Sequence, residues 1–340
     1  MGVFTNEGTE NRMMWDRRSR SFMEVWYTTL NHPETGLGVW LRYTITAPTS
    51  EAREPYCELW GFVFDPERRL DFAAKDRYDI SRLGASNGRD DGALVRIGDA
   101  WLSENHLDGS LEKDGRALRW SLDFEPAAHC FQHLPAQLRG RIEKRVSTVC
   151  SPNLAVPFSG VVAIDGRELV FDRARGSQSH RWGARHSLSW TWAHCSEWDE
   201  GEAIFEGLAA QAALGPVPAP RSTFVFLRHG GEDIAFNELR WAMLARSDYD
   251  LPVWSFNART DRWKIHGIAS ASPAHMFQVT YEDPDGSKRY CANSEISDLV
   301  IHVFRKAAGG WAHDATLRAA GSAHLEFGRK GPFDEVPISL

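Results

Sequence analysis

The stretch GSQSHRWGARHSLSWTWAHCSEW, residues 176–198, holds four of the chain's 14 tryptophans and three of its 13 histidines. Within it, residues 187–195 alternate between small side chains and a leucine, two tryptophans and a histidine. Successive side chains of a β-strand point to opposite faces of the sheet. The stretch therefore predicts a strand with one bulky, aromatic face and one face of small residues.

The aromatic face has two interpretations. It is typical of a barrel wall whose interior holds an apolar molecule, but tryptophans also fill the cores of large β-proteins. The two interpretations differ in whether the fold contains a cavity in the size range of ligand sites, about 300–1,000 Å3.

Strand-like runs closed by turn signals recur along the whole 340-residue chain. Asp114-Gly115 and Asp165-Gly166 are turn pairs typical of two-residue β-hairpins. The pattern predicts an all-β fold of antiparallel strands, arranged as two consecutive barrels with one or two short helices. The runs are residues 22–30, 38–47, 57–64, 111–124, 160–171, 222–227, 254–258, 263–269, 276–281, 289–293, 299–305 and 323–328.

Two segments depart from the strand pattern. In residues 135–149, apolar side chains recur at helical spacing after a proline, which predicts an amphipathic helix packed on a barrel. Its basic residues leave open a second interpretation, a lid over a pocket. Residues 237–250 are compatible with a strand or with a short helix.

The small-residue and proline-rich segment LAAQAALGPVPAPR, residues 208–221, is a candidate boundary between the two halves. Strand-like runs resume beyond it. We therefore predict a flexible N-terminus over residues 1–20, a first barrel over 21–200, a linker over 201–221 and a second barrel over 222–340.

Charge and composition exclude several classes of function. A net charge of −7 argues against nucleic acid as a partner, because phosphate binding needs a basic face. The first twenty residues lack the apolar run of a signal peptide, and no stretch has the ~20 apolar residues of a membrane span. Five scattered cysteines favour reduced thiols in a cytoplasmic protein. No nucleotide-binding loop or zinc motif is present, so we expect no cofactor and no metal; the oligomeric state stays open.

Glu24 is a candidate proton donor. It shares strand parity with Phe22 and Trp26, and burial between aromatic rings would raise the pKa of its carboxyl group. A protonated acid in an apolar pocket can protonate an alkene. The alternative is that Glu24 faces solvent or pairs with an arginine such as Arg42.

Histidines and tryptophans supply the other candidates. His180 and His194 bracket the aromatic strand and could act as acid, base or hydrogen-bond donor, although each could equally be structural. Indole rings could stabilise a carbocation or simply shape a cavity. In the second half, His324 and Glu326 share a strand face and are further candidates for the pocket, with surface hydrogen bonding as the alternative.

Several motifs resemble the lipocalin-like superfamily that includes tocopherol cyclase and carotenoid 1,2-hydratase. FMEVWY, residues 22–27, is similar to an early F-E-x-W-Y pattern. SHRWG and SWTWAHC, residues 179–183 and 189–195, are similar to a W-G pair followed by a W-x-W-x-x-C strand. The likeness covers most of residues 20–200 and, more loosely, RYCANSE at 289–295.

The resemblance implies two lipocalin-type barrels around a deep apolar cavity, and proton-transfer chemistry on isoprenoids or polyketides without a metal or redox cofactor. Glu24 matches the early glutamate of the family, and Trp182 matches the W-G pair. Tocopherol cyclase has an acidic residue just before W-G, where this chain has Ser179 and His180. A proton-donor role at that place would pass to His180.

We therefore expect a cofactor-independent enzyme that hydrates, cyclises or isomerises a small apolar isoprenoid, terpenoid or polyketide in an aromatic pocket. The predicted catalytic residues are His180, Glu24 and His194. The predicted substrate-binding residues are Trp26, Trp60, Trp120, Trp182, Trp190 and Trp192. The alternatives are a non-catalytic lipid- or pigment-binding protein and a structural β-protein that has no cavity.

Overall fold

The computed structural model describes residues 3–5, 8–84, 92–138, 147–213 and 218–340. Within these ranges the chain forms two sheets whose neighbouring strands run antiparallel, which confirms the predicted all-β class. The α-helix there is the four-residue α1, Leu239–Ala242. Across the same ranges, no helix combines the length and apolar character needed to span a membrane.

The first sheet contains β1 to β13. The strands follow the order β5-β4-β3-β2-β13-β12-β10-β9-β8-β7-β6, with β11 beside β12 and β1 beside β11. Their bounds are β1 (Val3–Thr5), β2 (Phe22–Asn31), β3 (Gly38–Ala47), β4 (Tyr56–Phe64), β5 (Phe72–Asp79), β6 (Leu83–Gly84), β7 (Ala93–Ile97), β8 (Ala100–Ser103), β9 (His106–Lys113), β10 (Arg116–Phe124), β11 (His129–Gln132), β12 (Thr148–Ile164) and β13 (Arg167–Gly183).

The second sheet contains β14 to β23. Its order is β17-β16-β15-β14-β23-β22-β20-β19-β18, with β21 beside β22. The bounds are β14 (Ser189–Cys195), β15 (Ala203–Gln211), β16 (Ser222–His229), β17 (Glu232–Ala235), β18 (Arg246–Asp250), β19 (Val253–Arg259), β20 (Trp263–Ser270), β21 (Phe277–Glu282), β22 (Lys288–Ala307) and β23 (Gly310–Arg329).

Each sheet curls around its own core, as the lipocalin-like prediction requires. In the first sheet, the Tyr43 hydroxyl on β3 lies 3.1 Å from the carbonyl oxygen of Asp108 on β9, although these strands are not neighbours. In the second, Phe205 on β15 stacks on Phe256 of β19, with ring centroids 5.1 Å apart. Both sheets also place their first long strand beside their last, β2 beside β13 and β14 beside β23.

The predicted hairpin turns are confirmed. Asp114 and Gly115 have φ angles of 54° and 78°, and Asp165 and Gly166 have φ angles of 51° and 80°. A turn with two successive positive φ values twists in the same sense as the strands it joins. These turns close the β9–β10 and β12–β13 hairpins.

The alternating stretch forms β14, but its aromatic face does not point into a barrel. Ala193 and Cys195, on the small face, pack in the core of the second sheet. The opposite face lies against the first sheet, where the ring of Trp192 is 5.7 Å from that of Tyr27. The prediction that the aromatic face lines a barrel interior is therefore wrong, because the two sheets pack face to face through it.

Other predicted elements need correction. Most of the predicted helix, residues 139–146, lies outside the described residues, while Ala136–Leu138 form a 3-10 turn and Val149 belongs to β12. Residues 237–250 contain both a short helix, α1, and a strand, β18.

The sheets also divide the chain differently from the predicted boundaries. The change of sheet falls between β13 and β14, so β15 lies in the second sheet and not in a linker. Within the N-terminal segment predicted to be flexible, Asn11 and Trp15 are buried. The division into two domains that fold separately stays a prediction.

The close approach of the two sheets at Gly38 can be tested by substitution. A Cβ atom on Gly38, in β3, would lie 2.5 Å from the Cβ atom of Glu295, in β22. We expect Gly38→Ala to lower the free energy of unfolding by roughly 1–3 kcal/mol, because the sheets would have to separate locally. Urea denaturation measures this change. Gly309→Ala is the control, because no atom lies within 4 Å of its added Cβ; equal losses in both variants would contradict the proposed contact.

Candidate functional site

A cavity of about 570 Å3 lies between the two sheets. Its volume falls within the range of ligand sites, about 300–1,000 Å3. The interpretation as a structural β-protein without a cavity is therefore wrong. The first sheet contributes strands β2, β3, β12 and β13 to its walls, and the second contributes β14, β15, β16, β18, β21 and β23 together with α1. Its apolar lining includes Val25, Tyr27, Trp40, Trp190, Trp192, Leu208 and Phe224.

Four planar side chains form a stack along one wall. The guanidinium of Arg42 lies 4.2 Å from the ring centroid of Tyr281. The ring of Tyr281 stacks on His186, at 4.9 Å and 10°, and His186 stacks on Trp190, at 5.4 Å and 18°. The stack holds polar groups of both sheets against an aromatic surface, and all four side chains line the cavity.

His186 and Asp283 form a buried pair. Asp283 Oδ1 lies 2.7 Å from His186 Nδ1 and accepts a hydrogen bond of 2.8 Å from the backbone N–H of His186. Burial, and then the charge of Arg181, lower the pKa of His186 to about 3, while Asp283 opposes this shift. Burial alone would raise the pKa of Asp283, but its contacts with His186 lower it overall.

These shifts fix the protonation of the pair. A neutral imidazole beside an ionised carboxylate donates its Nδ1–H to the carboxylate and keeps a lone pair on Nε2. None of the described residues hydrogen-bonds to Nε2 of His186, and the side chain lines the cavity. His186 can therefore accept a hydrogen bond or a proton from a bound molecule.

Glu326 is the carboxylate in the lining. Trp190 donates its indole N–H to Glu326 Oε1, and the residue is half-buried. The hydroxyl of Tyr281 is also in the lining, buried beside the Cys291 thiol and without an oxygen or nitrogen partner among the described residues. Burial raises the pKa of Tyr281 well above its usual value, and the neighbouring Cys291 and Glu326 raise it further. Tyr281 is therefore a neutral hydroxyl available to a ligand.

The structure joins Glu24 and His180, but outside the cavity. Glu24 Oε1 lies 2.9 Å from His180 Nε2, and both side chains are fully buried. Glu24 also accepts hydrogen bonds from the backbone N–H groups of Met14 and Trp15, at 2.6 and 2.9 Å. The other imidazole nitrogen of His180 donates to the carbonyl oxygen of Glu10, at 2.7 Å. The pair thus fastens the N-terminal segment to β2 and β13, and neither residue lines the cavity.

His194 belongs to a second buried cluster. Its Nδ1 lies 3.0 Å from Glu206 Oε2, and His133 Nε2 lies 3.0 Å from Glu206 Oε1. Trp192 donates its indole N–H to the same carboxylate, at 2.7 Å. Burial would raise the pKa of Glu206, but contacts with the two histidines lower it to about 2. His133 lines the cavity while His194 does not, so the cluster acts mainly to position Trp192.

Two of the six predicted tryptophan contacts, Trp190 and Trp192, line the cavity. Trp26 and Trp120 pack in the core of the first sheet, and Trp60 packs between the sheets without reaching the lining. Trp182 packs against His180, with ring centroids 4.7 Å apart and the rings tilted by 38°, and also lies outside the lining.

The sequence patterns did not identify the cavity-facing residues of β2 and its neighbouring strands, which lie on the face opposite Glu24. Tyr27, Arg42 and Arg181 line the cavity, and strand parity groups Tyr27 with Val25 and not with Glu24. His186 belongs to the aromatic stretch, but its partner Asp283 lies 97 positions away, just after β21. Glu326 was among the named candidates of the second half.

Fold and site together define a two-sheet β-protein with a ligand-sized cavity between the sheets. No family model matches the chain. Over 310 residues it is 25% identical to an uncharacterized protein of Mycobacterium tuberculosis, recorded in strains CDC 1551 and H37Rv, covering 91% of this chain and 87% of the relative.

Two solved structures are similar over nearly their whole length. An AttH-like protein of Nitrosomonas europaea has a TM-score of 0.48 at 12% identity, covering 94% of this chain and 98% of its own. Kievitone hydratase of Nectria haematococca has a TM-score of 0.49 at 10% identity, covering 97% and 96%. Likenesses at this level assign no activity to the chain.

The Glu24–His180 pair predicts a stability effect. We expect Glu24→Gln to lower the free energy of unfolding by roughly 1–3 kcal/mol, because Gln has a single acceptor oxygen for the N–H groups of Met14 and Trp15, which now bind one carboxylate oxygen each. Chemical denaturation measures the loss, and Glu54→Gln, at an exposed position, should change it by less than about 0.5 kcal/mol. A stable Glu24→Gln protein would show that the pair does not hold the N-terminal segment.

The low pKa of Glu206 predicts that the free energy of unfolding falls at acidic pH. Folding lowers its pKa from 4.5 to about 2, so its contribution to stability is complete above pH 4.5 and is lost as the pH falls toward 2. Unfolding free energies measured in urea from about pH 6 down to about pH 3 should therefore decline less steeply in Glu206→Gln than in wild type. The exposed Glu112→Gln variant is the control, and identical acid limbs in all three proteins would contradict the assignment.

Proposed function

We propose that this protein is an enzyme that adds water to, or removes water from, a double bond of a small unsaturated molecule bound between the sheets. The observation that carries the proposal is the presence of two proton-transfer groups, His186 and Glu326, against the same indole, Trp190. His186 stacks on that ring, and Glu326 accepts its N–H.

Hydration of an alkene needs these two functions. One group donates a proton to one carbon, while another accepts a proton from the water that attacks the other carbon. In the proposed reaction Glu326 donates a proton to one carbon, and His186, oriented by Asp283, takes the proton that the attacking water loses as its oxygen bonds to the other carbon. Proton transfer from His186 back to Glu326 through solvent then restores both groups. The reverse reaction uses the same groups with their roles exchanged. Only protons and water are exchanged, so the chemistry itself calls for no redox cofactor.

The rest of the lining suits a largely apolar substrate. Trp190, Trp192 and Trp40 offer flat faces along which an isoprenoid or polyketide chain can lie, and indole rings also stabilise developing positive charge. The hydroxyl of Tyr281 can hold a carbonyl or hydroxyl of the substrate. Restricting a flexible chain to one conformation is itself a source of rate enhancement.

The test is conversion of a panel of unsaturated isoprenoids and polyketides in heavy-oxygen water, followed by mass spectrometry. We expect one compound to gain a water that carries the label. Glu326→Gln and His186→Gln should each slow this conversion roughly 10²–10⁴-fold, because each removes a proton-transfer group.

Glu112→Gln, far from the lining, should keep the wild-type rate, and circular dichroism should show that all variants are folded. Binding of panel compounds without conversion of any would favour the non-catalytic carrier. Wild-type rates in both cavity variants would remove His186 and Glu326 from the mechanism.

A further inference from the structure

The cavity is more basic than the chain as a whole. The net charge of the chain is −7, yet the described lining residues comprise five arginines against one carboxylate, that of Glu326. None of these arginines lies within 4.0 Å of a Glu326 oxygen among the described ion pairs. The five are Arg42, Arg181, Arg185, Arg221 and Arg246.

Arg42 is a buried cation for which the described part of the chain provides no countercharge. Its residue is 5% exposed, and its Nε donates to the hydroxyl of Thr44 at 3.0 Å. Its guanidinium lies over the rings of Tyr281 and Trp60, at 4.2 and 5.2 Å. No carboxylate of the described residues lies within 4.0 Å of it. Aromatic faces stabilise a cation only in part, by about 2 kcal/mol when it is desolvated.

Arg181 is half-buried and, among the described residues, also lacks a carboxylate within 4.0 Å. It donates to the hydroxyl of Ser147 at 2.7 Å and to the backbone carbonyl of Arg185 at 3.0 Å, and both of these acceptors are neutral. Burial lowers the pKa of Arg181 to about 10, and the charge of Arg42 contributes to the shift. Asp283, whose charge opposes it most, is already engaged by His186.

The two arginines flank one strand. Arg42 on β3 is paired with Tyr27 of β2, and Arg181 on β13 is paired with Val25 of β2. Tyr27 and Val25 both line the cavity, so the two guanidinium groups border the same stretch of wall. Arg42 is buried and Arg181 is half-buried, and two like charges withdrawn from solvent on one wall are costly unless an anion joins them.

We propose that the cavity binds an apolar molecule that bears a carboxylate, with the carboxylate held by Arg42 and Arg181. The planar fork of a guanidinium matches the two oxygens of a carboxylate. The apolar body then extends along Trp190 and Trp192. This inference deepens the proposed function by naming the substrate class, and it rests on that function only for what happens to the bound molecule.

The test compares three molecules with the same isoprenoid body: farnesoic acid, farnesol and farnesyl phosphate. Isothermal titration calorimetry with the full chain gives the dissociation constants. We expect farnesoic acid to bind about tenfold or more tighter than farnesol, because hydrogen bonds to ionised groups are roughly twice as strong as neutral ones. Arg42→Met and Arg181→Met should each reduce that preference about tenfold, measured as the ratio of the two dissociation constants within each variant.

If Arg42→Met does not fold, Arg42→Lys serves as a second variant. It keeps the charge, so we expect it to retain part of the preference for the acid. Arg167→Met, at an exposed position, is the control and should retain all of it. Equal affinities for acid and alcohol, or a preference that survives both methionine substitutions, would overturn the proposal. Tighter binding of farnesyl phosphate than of farnesoic acid would also overturn it, in favour of a phosphate ester.

The readout separates this inference from the proposed function. Preferential binding of the acid that depends on Arg42 and Arg181 supports the carboxylate site whether or not the molecule is converted. Binding of that kind with no conversion of any unsaturated acid would count against the enzyme and leave the carboxylate site standing.

Discussion

The contact between the two sheets is the constraint on which the site depends. Asn31 at the end of β2 bridges the sheets: its amide nitrogen donates to the carbonyl oxygen of Glu295, at 2.7 Å, and its amide oxygen accepts from His324 Nε2, at 2.7 Å. Elsewhere, Phe131 and Phe226 pack ring to ring across the same interface, 5.2 Å apart. The cavity lies next to this close packing on the same strand: Tyr27, four residues before Asn31 on β2, is part of its lining.

The buried charges of the interface fall into two kinds. Glu206 is matched by two histidines and Asp283 by His186, so these groups satisfy one another and fix the positions of Trp192 and the ring stack. Arg42 and Arg181 have aromatic or neutral neighbours instead. The proposed carboxylate would supply these two cations with the countercharge that their described neighbours do not.

The strands could be predicted from the sequence, but not which face of each strand packs in a sheet's own core and which borders the cavity. The alternation of β14 and the Asp-Gly turns depend on local geometry, and both are found in the structure. β2, by contrast, is buried on both sides, with Trp26 in the first core and Tyr27 against the second sheet. No polar face marks the outside of such a strand, so parity alone could not tell that Tyr27, and not Glu24, borders the cavity. The His186–Asp283 pair is set by tertiary contact, which no local pattern records.

The basic wall and the proton-transfer groups are physically coupled. The charges of Arg181 and Arg42 both contribute to the low pKa of His186, and at a pKa near 3 an imidazole accepts protons poorly at neutral pH. Burial is the main cause of this low pKa and would remain, but a carboxylate bound by the two arginines would offset their contribution and so shift the pKa of His186 upward. Binding of the acidic group would then prepare the base, and a neutral analogue with the same apolar body would leave it weak. The proposed carboxylate site would therefore have two effects. It would hold the acidic molecule, and the same contact would make His186 a better proton acceptor.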